Sequence, residues 1–395
     1  MTTCQPQAAR GAVMAVFAIN GLLFGSWATR IPAVRNRVGL SDGELGLALA
    51  FIAIGAIVAM PTAGGRAARV GSRRVTRVSL ALACLATGVV ALAPSLPALC
   101  ALTLLMGVSM GSLDVTMNAH GVAVERRYGR PILAGFHAGF SLGGLAGGAL
   151  GAVAAAVGLD VRAHLALVGL AGLVVGLTWS RRFLPGSEDA MGHAEPVFVR
   201  PPRGLWALGA LAFACLLVEG ASADWSGVYL RDELGTSAGI AALGFTAFSV
   251  TMTLGRIFGD RLAARFGPEA IVRAGGAIAA VGFGLALLVS WPPAGIVGFA
   301  CLGAGMSGVV PIVFRASGHV PGMAAGVALA AASSTGYLGF MVGPPLIGGL
   351  AELSGMPVAL GLLVALGAAI AVLARTTRFA RFEPHVAGEH QAVTA

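Results

Sequence analysis

The sequence predicts an all-α polytopic membrane protein with twelve transmembrane helices in two six-helix bundles, joined as a parallel pseudo-two-fold repeat. Three observations lead there. Of 395 residues, 57% are hydrophobic and only 11% charged, with a mean hydropathy of +0.85, whereas soluble domains carry about 25% charge. One polar stretch divides the apolar runs six and six. The two halves also match each other at a nearly fixed offset. This composition excludes an ordinary soluble enzyme and a disordered chain.

A helical span takes roughly 20 residues, so twelve use about 240 and leave about 155 for connections and tails. Hydropathy and breakers place the spans at 11–30, 42–65, 75–94, 97–124, 132–157, 163–180, 204–223, 237–261, 269–290, 294–315, 323–350 and 357–374. The first run, Gly11 to Ala28 behind Arg10, is longer than a signal-peptide core and has no small-x-small site after it, so it reads as a span. Residues 1–180 are the first bundle, 181–203 (RRFLPGSEDAMGHAEPVFVRPPR) the cytoplasmic linker, 204–374 the second bundle and 375–395 a cytoplasmic tail.

Charge placement gives the orientation. All 26 basic residues are arginine, and the formal net charge is +9. With the amino terminus cytoplasmic, 20 arginines fall in inside segments and 5 outside, and Arg256 lies within a span. That bias is a positive-inside signal, so the charge reports topology and no nucleic-acid partner. Both termini are expected in the cytoplasm, the protein in the bacterial inner (plasma) membrane. The five cysteines have no metal-ligand spacing and mostly sit in apolar runs, where they read as small buried hydrophobes. No metal or cofactor is expected.

An offset of 196 lays Arg69 on Arg265, Gly71 on Gly267, Gly107 on Gly303, Met110 on Met306, Gly143 on Gly339 and Gly147 on Gly343. Near the start of each half, Asn20-Gly21 aligns with Glu219-Gly220 and Trp27 with Trp225, the offset drifting to 198–199. Two matched bundles entered from the same side create a central site near mid-membrane, an arrangement suited to alternating access.

An ionisable side chain in hydrocarbon costs roughly 2.5–3.5 kcal/mol, so such groups belong on a wet cavity or a partner. Spans 3, 6, 9 and 12 carry none away from their ends and read as lipid-facing supports. In the fourth span, Gly107, Gly111, Asp114, Asn118, Gly121 and Glu125 follow steps of 4, 3, 4, 3 and 4 and form one stripe. Asp114 and Asn118 on it are a candidate substrate or proton site, or else an interhelical hydrogen bond that holds the bundle. In the glycine-dense fifth span, His137 and Ser141 share a face with Gly144 and Gly148, and Asn20 adds an amide from the first. His120 lies off the stripe and reads as structural.

In the seventh span Glu219 is deep, while Asp224 and Trp225 fall near the outer end, with Trp225 an interface anchor. Arg30 ends the first span on the same side, so an Arg30–Asp224 pair bridging the halves is a candidate outer gate, against two separately solvated charges. Arg256 and Asp260, one turn apart, suggest a local ion pair. The eleventh span places Tyr337 among hydroxyls and glycines, followed by Pro344 and Pro345, which remove backbone hydrogen bonds and predict a kink.

With these residues in view the chain resembles the major facilitator superfamily across essentially all twelve spans. GGRAARVGSRR (64–74) is similar to that family's loop motif between its second and third helices, with Gly64, Arg69, Gly71, Arg73 and Arg74 matching and Ala68 where an acid is usual. GRIFGDRLAARFG (255–267) is the second copy, keeping Asp260, Arg265 and Gly267. SLDVTMNAHG (112–121), FHAGFSLGG (136–144) and EGASADWS (219–226) resemble the YbjJ-type branch, a relative of fucose-permease-like sugar porters. An acid in the fourth helix of such porters commonly couples sugar to protons, which the resemblance assigns to Asp114.

The expected function is secondary active transport of a small polar solute, sugar-like or a small metabolite, coupled to protons by a monomer. Asp114 is the proton-responsive carboxylate and Glu219 the second candidate; Asn20, Asn118, His137, Ser141 and Tyr337 supply polar contacts. Arg30, Asp224, Arg69, Gly71, Arg73, Arg256 and Asp260 serve the gates. A proton-antiporting drug or secondary-metabolite exporter is the alternative. An enzyme is not expected: most loops are too short to build an active site, and no phosphate-binding loop provides for ATP drive.

Overall fold

A computed structural model describes residues 6–129, 132–185, 205–317 and 325–377. Most of the expected linker and tail lies outside these residues. The described residues are helical throughout, without a strand. The first bundle comprises α1 (Pro6–Val38), α2 (Asp42–Val70), α3 (Ser72–Val89), α4 (Leu96–Tyr128), α5 (Leu133–Ala156) and α6 (Val161–Trp179). The second comprises α7 (Trp206–Val228), α8 (Ala238–Phe266), α9 (Pro268–Val289), α10 (Pro292–Met306), α11 (Val309–Ser317), α12 (Ala325–Ser354) and α13 (Met356–Leu373).

Twelve spans arise from thirteen helices because the tenth is broken. It turns at Ser307-Gly308, separating α10 from α11. The break lies where α8 comes close: a Cβ on Gly255 would stand 2.1 Å from the Ser307 hydroxyl. By contrast, α12 runs on as a helix through Pro344 and Pro345.

The packing repeats with the sequence. In the first bundle α1 lies on α5, α2 on α4, and α3 against α4 and α6; in the second α7 lies on α12, α8 on α10, and α9 against α10 and α13. Glycine sets the closeness. A Cβ on Gly107 would fall 1.9 Å from the Ile52 carbonyl oxygen, and one on Gly303 would fall 2.2 Å from that of Phe248. Both members of the pair shift by the same 196 residues. Small residues admit such backbone contact between spans.

The α1–α5 contact corrects one sequence alignment. Gly143 meets the Ala18 carbonyl and Gly147 that of Leu22, while Gly339 meets the Phe213 carbonyl and Gly343 the Leu217 side chain. The offset there is 195, so the counterpart of Asn20 is Cys215 rather than Glu219. Matching identical letters had slipped the register by about one turn, because apolar helices offer many chance matches while backbone contact allows one.

The helices expected to face lipid carry large apolar side chains on their outer surfaces. Val78, Leu82 and Leu85 on α3, Leu167 and Leu170 on α6, Val281 and Leu288 on α9, and Val358 and Val372 on α13 are exposed. The glycine of the short loop is also explained. Gly71 joins α2 to α3 at φ 83° and Gly267 joins α8 to α9 at φ 86°, a backbone region open to glycine and strained for other residues.

The bundles meet through α5 on α8 and α2 on α12, two contacts exchanged by the repeat, with α1 on α7 between them. Gly46 packs on the Pro344 carbonyl, Gly348 on that of Asp42, Gly239 on Ala156 and Gly227 on Pro32. All four contacts lie toward the face opposite the arginine-rich loops, so that face is closed.

Candidate functional site

Two helix ends run further than hydropathy indicated, and this moves the residues of the expected outer gate away from the helix ends. α1 continues to Val38, eight residues past Arg30, or about 12 Å at 1.5 Å per residue. The α7 segment continues past Val228 through a π turn, Tyr229–Glu233. Arg30, Asp224 and Trp225 therefore sit inside helices. The Arg30–Asp224 pair does not form: the buried Arg30 guanidinium donates to the Leu159 carbonyl, and Asp224, half-buried, has no ion-pair partner among the described residues. Trp225 is fully buried against Gly348 rather than anchored at an interface.

The charges at the true helix ends make the bridge instead. Arg35 pairs with Asp42 at 2.7 Å within its bundle and with Asp232 of the other bundle. Glu352, at the end of α12, accepts from the Gly43 backbone N–H at 3.0 Å. Arg35 had counted in the sequence only as a topology charge. What could have singled it out is its place beside the Ser41–Glu44 capping box, which fixes the start of α2.

Between the bundles, toward the arginine-rich face, the expected polar residues converge. On α4 the Asn118 side-chain amide donates to the Asp114 carbonyl at 2.8 Å and to its carboxylate at 3.3 Å. On α7, Glu219 accepts from the Arg256 guanidinium of α8 at 3.3 Å to each carboxylate oxygen. Arg256 also crosses to the first bundle, donating to the Ser141 hydroxyl at 3.4 Å, and Ser141 donates to the His137 carbonyl at 3.2 Å. The Tyr337 phenol lies within electrostatic reach of both Asp114 and Glu219, and the His137 ring within reach of Arg256. His137, Arg256 and Tyr337 are exposed although all three belong to spans, and polar groups so placed belong on a wet crevice rather than against lipid. Ser141 and Tyr337 stand 196 residues apart and occupy matching places on opposite walls.

Arg256 reaches Glu219 and Ser141; the Asp260 side chain, expected to pair with it, lies outside the described residues. Asn20 is 6% exposed and its amide faces the Met117 sulfur at 3.9 Å; it packs α1 on α4 rather than lining the crevice. The α4 stripe serves three neighbours. Gly107 and Gly111 seat α2, Asp114 and Asn118 face the crevice, and Glu125 accepts from the Ile132 and Leu133 backbone N–H groups at the start of α5. Of the loop arginines, Arg69 is exposed and Arg73 donates to the Arg181 carbonyl within its own bundle. His120 is fully buried, bonded to Ser72 and stacked on Phe183.

The sequence profile of the Major Facilitator Superfamily matches residues 13–228 and again 207–392. The chain belongs to that superfamily. This major facilitator protein is 37% identical to an uncharacterized MFS-type transporter of Yersinia pestis over 91% of its own length and 93% of the relative. It is 33% identical to an uncharacterized transporter of Sinorhizobium fredii, covering 92% and 96%, and 33% identical to the membrane protein MosC of Rhizobium meliloti, covering 88% and 85%. Among solved structures its fold is similar to the nucleoside transporter NupG (TM-score 0.71, 13% identity, 93% and 98% covered). It is equally similar to a bacterial homolog of the human lysosomal transporter Spinster in an inward-facing, unoccupied conformation (TM-score 0.71, 16% identity, 97% and 100% covered). At those identities the likeness concerns the fold alone. The family is one of transporters, not an enzyme class.

Proposed function

We propose that this major facilitator protein is a proton-coupled secondary transporter of a small polar solute, working as a monomer in the bacterial inner membrane with both termini cytoplasmic. In this reading the arginine-rich face is cytoplasmic and the crevice opens inward. The observation that carries it is the split of charge across the crevice: Glu219 is neutralised by Arg256, while Asp114 has no basic partner among the described residues. A carboxylate without a basic counterion inside a span is a candidate proton carrier, able to take up a proton from one side and release it on the other. Asn118, Ser141, His137 and Tyr337 offer donors and acceptors suited to hydroxyl or amide groups of a solute.

The alternating step separates the α5–α8 and α2–α12 contacts on the closed face. Arg256 links Glu219 in the second bundle to Ser141 in the first, so a solute that displaces Ser141 reports its arrival to both bundles. A stabilisation screen of purified protein against sugars, small acids and antibiotics at two pH values supplies the solute. In proteoliposomes, Asp114→Asn is then expected to abolish accumulation driven by a proton gradient while leaving counterflow exchange intact. Gradient-driven accumulation unchanged in that variant would overturn the assignment.

A further inference from the structure

On the lipid-facing side of the first bundle, α3 and the end of α6 border a groove of about 550 Å³. It lies outside the crevice. Arg73, Arg74 and Arg77 line one end, and Val78, Leu82 and Leu177 continue it along the apolar body of the helices. No carboxylate is among its lining residues, and none of the three arginines has an ion-pair partner among the described residues. The Arg77 Nε is buried without a hydrogen-bond acceptor. Like charges are thus gathered at one end of the groove, with one Arg73 donor used on the Arg181 carbonyl and the Arg77 Nε unspent, an arrangement that favours a bound anion.

The polarity of the groove defines the anion. Its cationic end begins beside the loop at Gly71. Its apolar end runs into Val78 and Leu82, which are 54% and 43% exposed, and points toward Leu85, 52% exposed. A soluble anion would use the first part and gain nothing from the second, whereas a phospholipid matches both. We propose that this groove binds one anionic phospholipid, its phosphate held by Arg73, Arg74 and Arg77 and an acyl chain lying along Val78, Leu82 and Leu177. Basic residues at a membrane surface attract anionic lipid with about 1 kcal/mol each, or roughly fivefold in affinity. The binding is independent of the transport reading.

The test is native mass spectrometry of the delipidated full chain titrated with cardiolipin, phosphatidylglycerol and phosphatidylcholine, with inorganic phosphate as competitor. One retained anionic lipid is expected, in preference to phosphatidylcholine. Arg74→Gln, a change at an exposed side chain, is expected to weaken it about fivefold, and Arg74→Gln with Arg77→Gln about 25-fold. Leu82→Trp, which obstructs the apolar part, is expected to weaken lipid binding while leaving phosphate competition unchanged. Arg126→Gln with Arg127→Gln removes the same charge from the end of α4 and is expected to leave this lipid bound. Equal weakening by that control, or equal retention of phosphatidylcholine, would refute the groove as a site. Phosphate binding indifferent to Leu82→Trp, with no lipid retained by the wild type, would assign it to a free anion and refute the lipid.

Discussion

Among the described residues, the Arg35–Asp232 pair is the ion pair that crosses between bundles on the closed face. Its side chains are 16% and 30% exposed, intermediate between the surface pairs worth about 0.2–1 kcal/mol and charges at 4 Å in an effective dielectric of 20, worth about 4 kcal/mol. Arg35 keeps Asp42 at 2.7 Å when Asp232 is lost, which lowers the expected effect. Asp232→Asn is therefore expected to cost the closed face about 1 kcal/mol, a shift of about fivefold toward opening. Arg35→Gln, which also frees Asp42, should shift it further. Spin labels at Val157 and Leu353, which are 75% and 84% exposed near the ends of α5 and α12, would read the opening as growth of a longer distance population. An unchanged distribution in both variants, with the fold intact by thermal unfolding, would refute the idea that this pair latches the face.

Two further outcomes can be measured directly. Gly143→Ala places a methyl carbon 2.0 Å from the Ala18 carbonyl oxygen, so it is expected to destabilise the first bundle by about 1–3 kcal/mol; Gly65→Ala, with no atom within 4 Å, is expected to raise stability by up to about 1 kcal/mol. Thermal unfolding in one detergent compares them, and equal midpoints would remove the argument from close packing. A double-mutant cycle on Glu219→Gln and Arg256→Gln is expected to show a coupling of about 1 kcal/mol, the pair being partly open to water; a coupling near zero would mean that Arg256 is solvated independently.

Much of the fold was legible because burial in lipid leaves strong marks. Runs of apolar residues, the arginine bias and the 196-residue repeat all report long-range constraints in local composition. The helix ends were not legible in the same way. α1 extends through Arg30 and Arg35 because its polar groups find partners within the protein, at the Leu159 carbonyl and Asp232, and hydropathy reads only their cost in lipid. The same blindness put the bridging pair at Arg30–Asp224, whereas the ion pair forms at Arg35–Asp232. The residues that converge between the bundles carry their own signal, an ionisable or amide group within a span. Asn20 is buried with its amide against Met117, because an amide can also be absorbed by packing, and one sequence does not distinguish these fates.

The doubled glycine contacts stand beside polar groups that are not doubled. At the positions matching Asp114, Glu219 and Arg256 in the opposite bundle stand Val310, Phe24 and Met60. The architecture is thus present twice and the ionic chemistry once. Relatives can then diverge in cargo by exchanging a few single-copy side chains without disturbing how the helices nest. Grafting the crevice residues of one relative onto another is, for that reason, a more promising route to altered selectivity than swapping whole bundles.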